Sequence, residues 1–177
     1  AITETPTLLI DMDPQANAST GLGIDINADH LSIYDVLINN NNIKKCISKT
    51  DINYLDILPS NSKLAGAEIE LVSMFTRESI LKDSLLNIYG KYKYIIIDCP
   101  PSLGLLTINV LTASNSVIIP IQCEYYALDG LSQLLNTIRL IQKDLNKKLS
   151  IEGILITMYD SRLNLSKQVV DEVEEYF

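Results

Sequence analysis

Three aspartates stand where carboxylates can act together. Asp11 and Asp13 lie at the exit of an apolar run in TLLIDMDPQANASTG (7–21), and Asp98 closes a second run in YKYIIIDCPPS (92–102). Side chains alternate across a strand, so two acids at i and i+2 leave it on the same side. Like charges that close repel unless a cation lies between or beside them. Hard carboxylate oxygens suit magnesium, which keeps several waters and takes only one or two carboxylates from a protein. A second carboxylate in such a pocket can orient or deprotonate a water. Taken alone, the pair reads equally as solvated loop acids, and Asp98 as a cap on the turn that follows it.

The turn after Asp98 adds to this. An apolar strand that ends in Asp and a stiff turn has the form of a Walker B acid, which holds Mg²⁺ beside a nucleotide phosphate, usually through water. Pro100 and Pro101 stiffen the chain directly after the acid, and Gly104 allows close backbone approach. A stiff segment through Ser102 beside a phosphate can register whether the terminal phosphate is present.

The elements that must position these acids alternate. Strand-like runs recur at 7–11, 55–60, 92–100, 116–122 and 151–159, several apolar on both faces and rich in Ile. Such runs suit strands of a parallel sheet buried from both sides. Between them lie helical patterns. Leu131, Leu134, Leu135, Ile138, Ile141 and Leu145 keep the spacing of one buried helix face. LGLLTINVLTA (103–113) reads as a short, very apolar helix. The stretch 63–90 reads as one or two helices closed by Gly90. The polar INNNNI (38–43) reads as a surface loop. Strand alternating with helix gives an α/β doubly wound fold, in which ligands bind beyond the carboxyl ends of the strands. Both acid sites fall at such ends.

Bulk properties narrow the classes. The 177 residues suit one domain over 1–177, and 47% hydrophobic content is enough for a core. A net charge of −8 argues against a nucleic-acid binder built on composition alone. Cys46, Cys99 and Cys123 are an odd, scattered set without a CxxC pair, which fits a reducing cytosol better than disulfides or zinc. With His30 as the only histidine, histidine metal clusters and Ser-His-Asp triads are ruled out. No apolar run reaches the roughly 20 residues that a membrane span needs.

Three stretches together resemble the ParA/Soj family of chromosome- and plasmid-partitioning ATPases with a deviant Walker A motif. They are LLIDMDPQANASTGLGID, YKYIIIDCPPSLGLLTINVLTASNSVIIPIQCEYYALDGLSQLLNTI and GILITMYDSRLNLSKQVVDEV. The resemblance implies a twisted, mostly parallel sheet flanked by helices on both faces, of the P-loop NTPase type. It implies ATP and Mg²⁺, a homodimer that binds DNA nonspecifically, a ParB-like partner that stimulates hydrolysis, and a cytoplasmic, nucleoid-associated protein with no membrane partner. By position, Asp13 resembles the acid that sets the hydrolytic water, and Asp11 its neighbour near the metal. Asp98 resembles the Walker B acid, with Pro100, Pro101 and Ser102 as the switch behind it. Glu124 resembles a nucleotide-side residue near the dimer interface, and Arg162 an arginine that contacts DNA.

One family feature is missing from the 177 residues. Nothing reads GxxxxGK followed by Ser or Thr, nor the deviant KGGxGK form. That loop supplies phosphate-cradling amides, the signature lysine and a hydroxyl for Mg²⁺. The expectation is therefore a truncated nucleotide-binding domain, inactive by itself, whose sheet lacks a central strand beside the Asp98 strand. The first residues, AITETPT, would be the end of a helix and the turn after it. Two other readings stay open: a MinD-like ATPase placed on a membrane, and a degenerate interaction module without catalysis.

Overall fold

The computed structural model describes residues 4–26, 30–124 and 127–176, with the backbone alone at 127–129 and 175–176. Its contacts divide the chain into two compact units, Ala1–Ala113 and Ser114–Phe177.

The first unit is built on a four-stranded sheet. β1 (Thr7–Asp11) pairs in parallel with β3 (Leu55–Leu58) on one side and with β4 (Tyr94–Asp98) on the other. A two-residue strand, β2 (Ser48–Lys49), adds antiparallel to β3, so the order is β2-β3-β1-β4. β1 is central, and its sequence shows why: Leu8 and Ile10 are fully buried. Six helices accompany these strands: α1 (Asn17–Gly21), α2 (Ile33–Leu37), α3 (Ile43–Cys46), α4 (Leu64–Val72), α5 (Ile80–Leu85) and α6 (Leu105–Ala113). The core joins Leu8, Ile10 and Leu58 of the sheet to Leu37, Leu64, Leu81 and Val110 of the helices. Burying one such side chain contributes about 1.5–3 kcal/mol relative to leaving it in water.

Local chemistry fixes the connections. Asp35 accepts the Ser32 backbone N–H at 2.9 Å, which closes the start of α2. Asn42 caps α3 by accepting from the Lys44 N–H at 3.0 Å, so the polar run at 38–43 is loop only to Asn42. The stretch 63–90 divides into α4 and α5, and Gly90 (φ +76°) ends it in the left-handed region that glycine tolerates. Glu4–Pro6 is coil, so no helix end is present there; Ala1–Thr3 lie outside the described residues.

One expectation needs correcting. β4 reads as a strand buried on both faces, yet Tyr94 is 57% exposed and Ile96 is 56% exposed. Tyr94 and Ile96 share one face of the strand, and that face is left uncovered. Among the described residues β4 has a neighbour on the β1 side alone.

The second unit holds β5 (Ser116–Gln122) and β6 (Ser150–Thr157), paired in parallel with an irregularity between Val117 and Ile118. α7 (Ala127–Asp144) connects them, and α8 (Asn164–Tyr176) follows. Leu131, Ile138 and Ile141 are buried along α7, as their spacing predicts, whereas Leu134 and Leu135 are half-buried and Leu145 falls beyond the helix and is exposed. A strand–helix–strand crossover of this kind requires parallel pairing.

Candidate functional site

The sheet brings the three aspartates to one end of two adjacent strands. The β1–β4 ladder runs in register from Thr7↔Tyr94 to Asp11↔Asp98. One residue further, the Met12 N–H still donates to the Asp98 carbonyl at 2.8 Å. Asp11 and Asp98 therefore close neighbouring parallel strands side by side, and Asp13 stands two residues beyond.

The three carboxylates have different surroundings. Asp11 is fully buried and its oxygens are occupied. Oδ2 accepts from the Ser19 N–H at 2.8 Å and from the Ser19 hydroxyl at 2.7 Å, and Oδ1 accepts from the Asp13 N–H at 3.1 Å. These bonds stabilise its charge without a cation. Asp13 is half-buried. Its Oδ1 accepts from the Gln15 N–H at 2.8 Å, and its carbonyl accepts from the Ala16 N–H at 2.9 Å. The loop then turns through Ala16, which takes a left-handed backbone (φ +53°) while fully buried. Such a conformation is uncommon for a residue with a Cβ and persists only where surrounding contacts impose it.

Asp98 differs again. Its carboxylate accepts no hydrogen bond among the described residues, and the side chain is exposed. Desolvation pushes its pKa up from the ordinary range, and the neighbouring Asp11 and Asp13 push it the same way. An acid crowded by two others with no donor of its own is a place where a cation is favoured. The hard oxygens of Asp98, with Asp11 beside it, fit Mg²⁺ held through water by one or two carboxylates. No cluster of three or more metal-ligating side chains exists among the described residues, and a magnesium site of this kind needs none.

Behind Asp98 the segment is partly anchored. Pro100 is buried, whereas Pro101 and Ser102 are exposed. The Thr107 hydroxyl donates to the Ser102 carbonyl at 2.6 Å, which fixes the segment to α6. Gly104 packs against the Glu68 carboxylate of α4, where a side chain would collide. Glu68 Oε1 is buried there without a hydrogen-bond partner.

The remaining two residues belong to the second unit. Glu124 is exposed just after β5, its N–H donating to the Gln122 carbonyl at 2.8 Å. Arg162 is exposed in the turn after β6, and its guanidinium grips Asp160, at 2.9 Å from Nε to Oδ1 and 2.6 Å from Nη2 to Oδ2. Tyr125 and Tyr126, which follow Glu124 in the quoted motif, lie outside the described residues.

Sequence reasoning missed Ser19 and Asn109. Asn109 is fully buried and accepts from the Leu81 N–H at 3.2 Å while donating to the Arg77 carbonyl at 2.6 Å, which ties α6 to α5 and the turn before it. A polar residue inside an apolar helix pattern was the available signal.

Comparison with known proteins decides the family. An AAA domain family model matches residues 2–151. The sporulation initiation inhibitor protein Soj of Bacillus subtilis is 57% identical over 170 residues, which cover 96% of this chain and 67% of that protein. The chain belongs to the ParA/Soj family of partitioning ATPases. The chromosome partitioning protein ParA of Myxococcus xanthus is 53% identical over 177 residues, all of this chain and 62% of that one. The chain thus spans about two thirds of the length of these ParA and Soj relatives. A crystal structure of cobyrinic acid a,c-diamide synthase from Mycobacterium smegmatis, with ADP and magnesium bound, superposes with a TM-score of 0.93 at 39% identity. The match covers 99% of this chain and 71% of that one. A mixed, largely parallel sheet flanked by helices is the ParA-like P-loop fold.

Proposed function

We propose that the protein carrying this chain is a Mg²⁺-dependent ATPase that segregates a chromosome or plasmid. In this reading it is an ATP-bound homodimer on nonspecific DNA at the nucleoid, and a ParB-like partner stimulates hydrolysis. The supporting observation is the register of Asp11 with Asp98, which sets an open carboxylate beside the loop that displays Asp13. Superposition on an ADP- and magnesium-bound protein supports the choice of nucleotide and metal. That protein carries another enzyme name, and one fold hosts many activities, so the partition reading leans on the Soj and ParA relatives.

Each residue then has its task. Mg²⁺, when bound, neutralises charge on the transferred phosphoryl group. Asp98 offers oxygens on which no protein hydrogen bond competes, suited to holding the metal through water. Asp13 presents its second oxygen to the attacking water and takes its proton, while Gln15 holds the first. Asp11, also read as a metal neighbour, shapes the loop through three accepted hydrogen bonds and lies beside Asp98 at the metal. Pro100, Pro101 and Ser102 form the phosphate-sensing segment, Glu124 lies on the nucleotide side, and Arg162 contacts DNA phosphate. The 177 residues alone, which contain no phosphate-loop motif, do not turn over ATP in this reading.

The test uses the intact protein with Asp13→Ala and Arg162→Glu. Asp13→Ala is expected to keep ATP affinity, lose hydrolysis and stay on DNA. Arg162→Glu is expected to weaken DNA binding and flatten its salt dependence while sparing nucleotide affinity. Normal hydrolysis by Asp13→Ala refutes the catalytic assignment. Turnover without any DNA binding favours a membrane-placed relative, and no turnover at all favours an interaction module.

A further inference from the structure

We infer that Ser19 is a positioning residue for the hydrolytic acid, holding the Asp13 loop through Asp11 and anchoring it to the exit of β3. The inference rests on the role proposed above for Asp13. Its basis is a continuous buried chain of hydrogen bonds.

The chain starts 41 residues away from Ser19 in sequence. The Ser60 backbone N–H donates to Ser19 Oγ at 3.0 Å. The Ser19 hydroxyl donates its single proton to Asp11 Oδ2 at 2.7 Å, and the Ser19 N–H donates to the same oxygen at 2.8 Å. The other oxygen of Asp11 takes the Asp13 N–H at 3.1 Å. Asp11, Ser19 and Ser60 are all 0% exposed, so water does not compete for these bonds.

Two physical points follow. The hydroxyl has one arrangement that satisfies both neighbours: it accepts from Ser60 and donates to Asp11. Charge-assisted bonds to a buried carboxylate are also stronger than neutral ones. Asp13 is therefore hung from a fixed point at the end of β1, and the loop between Asp13 and Ser19 is locked to the loop after β3. Asp13 itself stays half-buried, with one oxygen available. A general base needs hydrogen-bond contact with its water, and displacement by about 1 Å can cost about a hundredfold in rate. Ser19 touches neither water nor nucleotide in this arrangement. Its effect passes through the placing of Asp13.

The experiment compares Ser19→Ala, Ser19→Thr and Asp13→Ala in the intact protein. ATP turnover is measured with DNA and partner present, together with nucleotide affinity and thermal unfolding. Ser19→Ala is expected to lower kcat about tenfold or more, with nucleotide affinity within about twofold, and Ser19→Thr to restore most of the rate. If Asp13→Ala turns over normally, the reading of Asp13 is wrong and the positioning role falls with it. If Asp13→Ala is inactive but a folded Ser19→Ala protein matches wild type, the positioning role alone is overturned. A folded Ser19→Thr protein that stays as slow as Ser19→Ala overturns it too. Should Ser19→Ala fail to fold, amide exchange of the unaltered protein decides. Protection of the Asp13 and Ser19 amides comparable to β1 is expected, and exchange at exposed-loop rates refutes the clamp.

Discussion

Asp11 and Asp98 are register partners at the ends of adjacent parallel strands, and their carboxylates live in opposite states of satisfaction. Asp11 receives three hydrogen bonds in the dark of the core, and Asp98 receives none among the described residues. Asp98 keeps its oxygens free of protein donors, whereas Asp11 directs its bonds into the loop that carries Asp13.

This asymmetry makes Asp98 a burden on the folded state. Desolvation and the two neighbouring acids raise its pKa, so between the unfolded and folded values the native protein binds more protons than the unfolded chain. Stability then falls as pH rises through that window. Asp98→Asn removes the penalty. Because the group is exposed, screening keeps the gain below about 1 kcal/mol, or a rise in Tm of a few degrees at neutral pH. The same variant should lose Mg²⁺-dependent turnover. Differential scanning fluorimetry of the intact protein without nucleotide checks the first part, and a drop in Tm contradicts it.

Asp56 behaves in the reverse sense. Burial tends to raise its pKa, but hydrogen bonds from Lys49 at 2.8 Å and from the Tyr92 hydroxyl at 2.7 Å, with Lys91 nearby, hold it below the ordinary value. A lowered carboxyl contributes stability above its unfolded value and loses it as pH falls through the folded one. Asp56→Ala strands the Tyr92 hydroxyl and should cost about 1–3 kcal/mol at neutral pH. In urea titrations that cost should shrink as pH drops below about 4, where the carboxyl of the unfolded chain protonates. An equal cost at pH 3 and pH 7 refutes the ion-pair account.

Gly104 and Glu68 offer a test of coupling. A methyl group at position 104 would meet the Glu68 carboxyl, whose Cδ lies 2.6 Å from that point. Gly104→Ala should therefore push the Glu68 carboxyl aside, at a cost below about 1 kcal/mol because the end of a flexible side chain can move. Truncating Glu68 to Ala removes the obstacle. The double variant should be more stable than the sum of the single changes by about 0.5 kcal/mol. Strict additivity in urea unfolding means that the two residues do not press on each other.

How far the sequence carried this reading depends on what kind of signal each element had. β1 and β5 were legible to the residue, because their Ile, Leu and Val runs, interrupted in β5 by Pro120 alone, stop at polar or turn-forming residues. Asp13 and Asp98 were legible as a pair because both follow such runs. The short helices α1, α2 and α3 were not, since four or five residues cannot show a helical period. For α2 the pattern Ser32-x-x-Asp35 was the available sign. Ser19 could not be read at all. Its partners are a carboxylate eight residues back and an amide 41 residues ahead, and no local pattern records such a meeting. The exposure of β4 was missed for a related reason: oiliness reports what a strand can bury, whereas its neighbours decide what it does bury.

That last point bears on handling the polypeptide. β4 ends the described sheet with a bare line of amide hydrogens and carbonyls flanked by Tyr94, Ile95 and Ile96. Short branched-aliphatic segments left open in this way template fibril growth between molecules. At high concentration, and with the seam uncovered, this polypeptide should gel or precipitate through β4 before its helices melt.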